Sequence, residues 1–183
     1  MAHLSRNIRT LPLVVLMLLM SCMSLKHAGI REIDETRVKS QEYIAAGNYK
    51  SAFDVCSGAC RRYSTDERSL TNYRKTKEAI QRAAQEAFGR EAFALSGRAY
   101  YALINDNSYC RQLLHEPPPE KEFLEQLKES SNHLFQYALA EYRKGNLAEA
   151  ISLWKNILVF DPNNPTVVKA IDKTTIQLKN LQQ

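Results

Sequence analysis

Glycine and proline are both scarce, six of each in 183 residues, and that shortage argues against an all-β sandwich or barrel, which needs a turn about every ten residues. Strict apolar–polar alternation is missing from Ile30 to Gln183, so half-buried strands have no support. A Gly-rich phosphate loop, a Gly-x-Ser-x-Gly elbow, a Ser-x-x-Lys signature and a His-Glu-x-x-His helix are all absent, which leaves catalysis without a motif. Neither a cofactor nor a metal site is expected. The histidines beyond the N-terminus, His27, His115 and His133, stand apart, and surface or capping roles account for them. Charge of one sign is also modest at +5, a solvated surface rather than a nucleic-acid footprint. What remains is a chain of one domain's length, rich in Lys, Arg, Glu and Gln, with the composition of a helical array.

The longest uncharged apolar run, residues 11–20, is about half of what a helix needs to cross ~30 Å of hydrocarbon. It follows a segment carrying Arg6 and Arg9 and no acid, which is the outline of a signal peptide rather than a lasting span. The run ends in Leu19-Met20-Ser21-Cys22, which resembles the lipobox of bacterial lipoproteins. That resemblance implies cleavage after residue 21, acylation of Cys22, and a tether over 22–29 ahead of a folded body at 30–183. Met23 is not the aspartate that retains such proteins in the inner membrane, so the resemblance implies an outer-membrane anchor facing the periplasm. Residues 1–21 hold two arginines and no acid, so their removal lowers the formal charge from +5 to +3.

Helical periodicity runs through the body. Asp66 to Phe88 reads as one long helix with its stripe through Leu70, Tyr73, Ile80 and Ala84. Arg90 to Asn105 follows, then a short helix over Ser108 to His115 and an elbow at Pro117-Pro118-Pro119. Glu120 to Glu129 resumes as a helix, with Ser130-Ser131-Asn132 read as the cap of the next one. Leu134, Tyr137, Ala138 and Tyr142 form the stripe of that helix, which stops at Lys144-Gly145-Asn146. Ala150, Ile151, Trp154, Ile157 and Leu158 face one side of its successor, ended by Asp161-Pro162. Asn164-Pro165 opens a closing helix with Val168, Ile171, Leu178 and Leu181 on its stripe.

The segment Leu134-x-x-Tyr137-Ala138…Gly145-Asn146-Leu147-x-x-Ala150…Trp154…Asp161-Pro162 resembles the tetratricopeptide repeat, a 34-residue helix–turn–helix unit. A degenerate copy begins at Ala46-Gly47-Asn48-Tyr49, and Phe93 to Tyr101 resembles the first helix of a third. The resemblance implies a short all-α solenoid, its clearest repeat at 131–164 and a capping helix at 165–181. It also implies a groove lined by first helices, here Arg98, Tyr101, Phe135, Leu139 and Tyr142, with Arg37 and Gln41 from the first repeat. An additional helix filling that face as core is the competing expectation. The implied activity is non-catalytic binding of another envelope protein, as a scaffold or assembly factor, with binding of an envelope glycan or lipid as the alternative.

Cys56, Cys60 and Cys110 remain beyond the lipobox. Burial as small hydrophobes is the preferred reading of Cys56 and Cys60, and a bridge from one of them to Cys110 is the other. Trp154 is expected in the core.

Overall fold

A computed structural model of the chain describes residues 29, 31–119 and 121–182. Cys22, the lipobox and the signal segment lie outside the described residues, as does all of the tether except Gly29. Among the described residues the fold is all-α: α1 (31–45), α2 (Tyr49–Arg62), α3 (Glu67–Gly89), α4 (Phe93–Ile104), α5 (Tyr109–Leu113), α6 (Lys121–Arg143), α7 (Leu147–Leu158) and α8 (Pro165–Leu181). No described helix is long and apolar enough to cross a membrane.

Three helical hairpins, α1–α2, α3–α4 and α6–α7, close through the same turn. In each, an amide donates back over the end of the first helix, Asn48 N–H to Tyr43 O at 2.8 Å, Ala92 N–H to Ala87 O at 2.8 Å and Asn146 N–H to Glu141 O at 3.0 Å. The residue just before that amide is left-handed, with φ of 70° at Gly47, 59° at Glu91 and 85° at Gly145. This is a Schellman closure, which spends the last carbonyls of one helix while starting the next.

Counting from the left-handed residue, the same positions are buried in all three hairpins. Seven before it stand Ser40, Ala84 and Ala138, and five after it Ala52, Ser96 and Ala150, each 2% exposed or less. Small side chains there let the two helices of a hairpin lie close. Two after it come Tyr49, Phe93 and Leu147, and nine after it Cys56, Tyr100 and Trp154, the larger groups that fill the space between layers.

Successive helices pack in chain order, α2 on α3, α3 on α4, α4 on α6, α6 on α7 and α7 on α8, while α5 packs on α2. Two cores result. One joins Phe53, Tyr73, Ile80, Tyr100 and Leu103; the other joins Phe93, Leu134, Trp154, Ile157, Phe160 and Val167. At Gly97 the chain has room for nothing larger: a Cβ there would sit 2.6 Å from the Phe160 ring.

Four expectations are corrected. α4 is the second helix of its hairpin, not a first helix, because Glu91 rather than a glycine takes the left-handed turn and Gly89 stays helical. The Ser130-Ser131-Asn132 cap does not exist, and α6 runs unbroken for 23 residues from Lys121 to Arg143. Ser130 is instead a small interior residue whose hydroxyl meets that of Ser96 at 3.2 Å, drawing α6 against α4. Cys60 and Cys110 form a disulfide with Cα atoms 5.6 Å apart, leaving Cys56 as the buried free thiol among the described residues. Tyr137, Val168 and Leu181 lie on the exposed side of their helices rather than in the stripe.

Gly29, at the far end of the expected tether, is helical and buried, close to the Tyr63 ring.

Candidate functional site

A cleft of about 410 Å³ opens between the start of α2, the outer side of α4, the loop Asn105–Ser108 and the end of α7. Four structural elements make it. The α1–α2 turn places Asn48 as the cap of α2, where its side chain accepts from Ser51 N–H at 3.3 Å, and Tyr49 follows with its ring sunk in the wall. Helix α4 contributes Arg98, Tyr101 and Ala102, three and four residues apart on one face. Val159, 54% exposed just beyond α7, forms the rim.

The loop wall is held rather than draped. Asp106 is buried and accepts from the Tyr73 hydroxyl at 2.6 Å and from Ser108 N–H at 2.9 Å. Arg111 donates to the Asp106 carbonyl at 2.7 Å and to the Pro117 carbonyl at 2.8 Å. Tyr109 N–H donates to the Ser57 hydroxyl, and the Cys60–Cys110 bridge sits one residue further on. Below it, Lys77 pairs with Glu116 across α3 and the proline elbow. Burial, then the hydrogen bond to Asp106, pushes the Tyr73 phenol far above its ordinary value, so it stays a donor.

Most charges lining the cleft are already answered. Lys50 and Asp54 pair on the rim at 2.6 Å, and Asp106 is engaged as above. Arg98 is the exception. It makes no ion pair among the described residues: Nη2 donates to Asn156 at 3.2 Å, and Nε is buried without an acceptor. Burial raises the Tyr49 phenol above its ordinary value, against a smaller opposing pull from the Arg98 charge. The hydroxyls of Tyr49 and Tyr101 make no hydrogen bond to the described residues.

Of the groove residues expected from the sequence, the structure gathers Arg98 and Tyr101 in this cleft and leaves Phe135, Leu139 and Tyr142 outside it. The rings of Phe135 and Tyr142 pack 6.0 and 6.1 Å from that of Trp154, and the Tyr142 hydroxyl donates to Gln177 of α8 at 2.9 Å. Leu139 is half-buried on the same helix. Arg37 and Gln41 are exposed on α1, also away from the cleft. Tyr49, Phe53 and the Asn105–Ser108 loop were missed. The sequence carries a signal for Tyr49 alone, which stands two residues after its turn where Phe93 and Leu147 stand in the other hairpins.

Among the described residues no group of three His, Cys, Asp or Glu side chains is placed to hold a metal. No family model matches the chain, and neither a curated protein nor a solved structure matches it.

Proposed function

We propose that this chain is a non-catalytic lipoprotein of the bacterial envelope, anchored to the outer membrane through acylated Cys22, that docks another envelope protein as a scaffold or assembly factor. The observation that carries the docking is the cleft: two tyrosines with unengaged hydroxyls beside an arginine without an ion-pair partner, the residue types that dominate protein-binding surfaces. Its wall is fixed by a disulfide and a buried carboxylate, so little ordering cost accompanies binding.

The likeness to tetratricopeptide repeats gains support from three hairpins with one turn and one pattern of small buried residues, closed by α8 as a cap. The left-handed turn residues are 44 and 54 positions apart, so these are lengthened repeats rather than regular 34-residue ones. Anchoring rests on the Leu19-Met20-Ser21-Cys22 segment and on the short distance from Cys22 to Gly29.

Metabolic labelling with a fatty-acid analogue tests the anchor: wild type should be marked and Cys22→Ala should not. Co-purification from detergent-solubilised membranes tests the docking. Wild type should retain a discrete partner that Val159→Asp loses, since the charge enters an exposed rim with no cost to the fold. Equal labelling of both proteins, or a partner indifferent to Val159→Asp, contradicts the corresponding half of the proposal.

A further inference from the structure

We propose that the cleft recognises an acidic side chain beside an apolar one in an extended segment of the partner, with Arg98 as the specificity-determining residue. The inference rests on the docking proposed above and names its chemistry.

The argument starts from an anomaly. A half-buried guanidinium normally has a carboxylate or several carbonyls around it, because a desolvated charge without partners is costly. Arg98 has one amide oxygen, that of Asn156, and a buried Nε with none. The acids nearest along the cleft are unavailable to it: Asp54 is held by Lys50, and Asp106 by Tyr73 and the Ser108 amide. The formal charges lining the cleft balance, Lys50 and Arg98 against Asp54 and Asp106, and Arg98 is the one cation among them with no carboxylate in contact.

The other polar groups around it agree in sense. The half-buried Tyr101 has a hydroxyl with no hydrogen bond to the described residues, as does the buried Tyr49, and Arg98 Nη1 is likewise unengaged. A guanidinium and two phenols match a carboxylate, whose oxygens only accept. Beside them Phe53, Ala102 and Val159 supply an apolar floor and rim that a neutral polar ligand would not use. The volume suits a short stretch of chain rather than a folded surface, being within the roughly 300–1,000 Å³ of small-ligand sites. Phosphate is a poorer match, because Lys50, the second cation lining the cleft, is already paired with Asp54 and only Arg98 is left for a dianion.

The test is ligand-detected NMR on the full chain in a zwitterionic detergent, with two probes, N-acetyl-phenylalanyl-glutamate amide and its glutamine counterpart. The glutamate probe should bind wild type at least about tenfold more tightly, the scale of one charge-assisted hydrogen bond. Arg98→Gln should remove the difference, and Arg98→Lys, which keeps the charge, should retain part of it while showing that the fold tolerates change there. Equal binding of both probes to wild type would overturn the carboxylate specificity and leave the docking cleft standing. Binding of neither probe would overturn the specificity and the cleft as a peptide site together.

Discussion

Trp154 shows how one residue sets the order of its surroundings. Its side chain is 2% exposed, with Phe135 and Tyr142 against it, so it anchors the layer between α6 and α7. Trp154→Ala should cost about 3–5 kcal/mol in denaturant unfolding, and native emission should be blue-shifted and resistant to quenchers. Tyr142→Ala should cost about 1–2 kcal/mol, because the ring is only half-buried but loses Trp154 and Gln177 together. A loss of that size in the unfolding experiment would assign Tyr142 to the packing of the fold and not to a binding surface. Gly97 makes the complementary case. Gly97→Ala forces a methyl to 2.6 Å from a core phenylalanine ring, so either Phe160 or α4 must move. A loss of about 1–3 kcal/mol is expected, and an alanine tolerated without loss would mean that α4 does not approach Phe160 so closely. Burial also raises the Cys56 thiol, which accordingly should resist maleimide in the native protein and react on unfolding.

Helices were legible from periodicity, and their pairing was legible in two hairpins of the three. Two of the three hairpin turns announce themselves as Gly-Asn, at 47–48 and 145–146, but the middle turn places Glu91 in the left-handed region. Without a glycine there, nothing in the sequence marks α3 and α4 as a pair, and α4 reads as a first helix. The serines at 130 and 131 misled in a similar way, because their propensity for caps is real but tertiary contact with Ser96 outweighs it. The groove set therefore mixed a face of α4 that does line a cleft with a face of α6 that packs on Trp154. If the three turns are equivalent, they respond in opposite directions to exchange at the left-handed residue. Gly145→Ala, where no neighbour lies within 4 Å of the new Cβ, should cost about 1 kcal/mol from backbone strain alone. Glu91→Gly should gain about 0.5–1 kcal/mol, offset only by an exposed bond from the Tyr137 hydroxyl. Chemical denaturation of the two variants checks both signs.

Across the whole molecule, the two cores meet at α4, and the cleft lies where α2, α4 and α7 come closest on one side. The disulfide fixes the least regular part of that side. Cys60 and Cys110 are 50 residues apart, and closing a loop of that length stabilises by roughly 3–4 kcal/mol in the chain-entropy account. Cys60→Ala with Cys110→Ala should therefore melt well below wild type while keeping its helical circular dichroism, and reduction by a dithiol should reproduce the shift. Sequence spacing allowed this bridge without selecting it, since Cys56 and Cys60 are one turn apart and only the path of α5 decides which thiol Cys110 meets. The cleft itself was illegible for the same reason: its residues come from 47–54, 98–108 and 159, brought together only by the hairpin order. The central claim is that this cleft is where the partner sits, and site-specific photo-crosslinking in intact cells tests it most directly. A photoreactive residue replacing Val159 at the rim should give one discrete adduct, whereas the same residue replacing Tyr137, exposed on α6 and outside the cleft, should give none. An adduct formed equally from both positions, or from Tyr137 alone, would contradict the account.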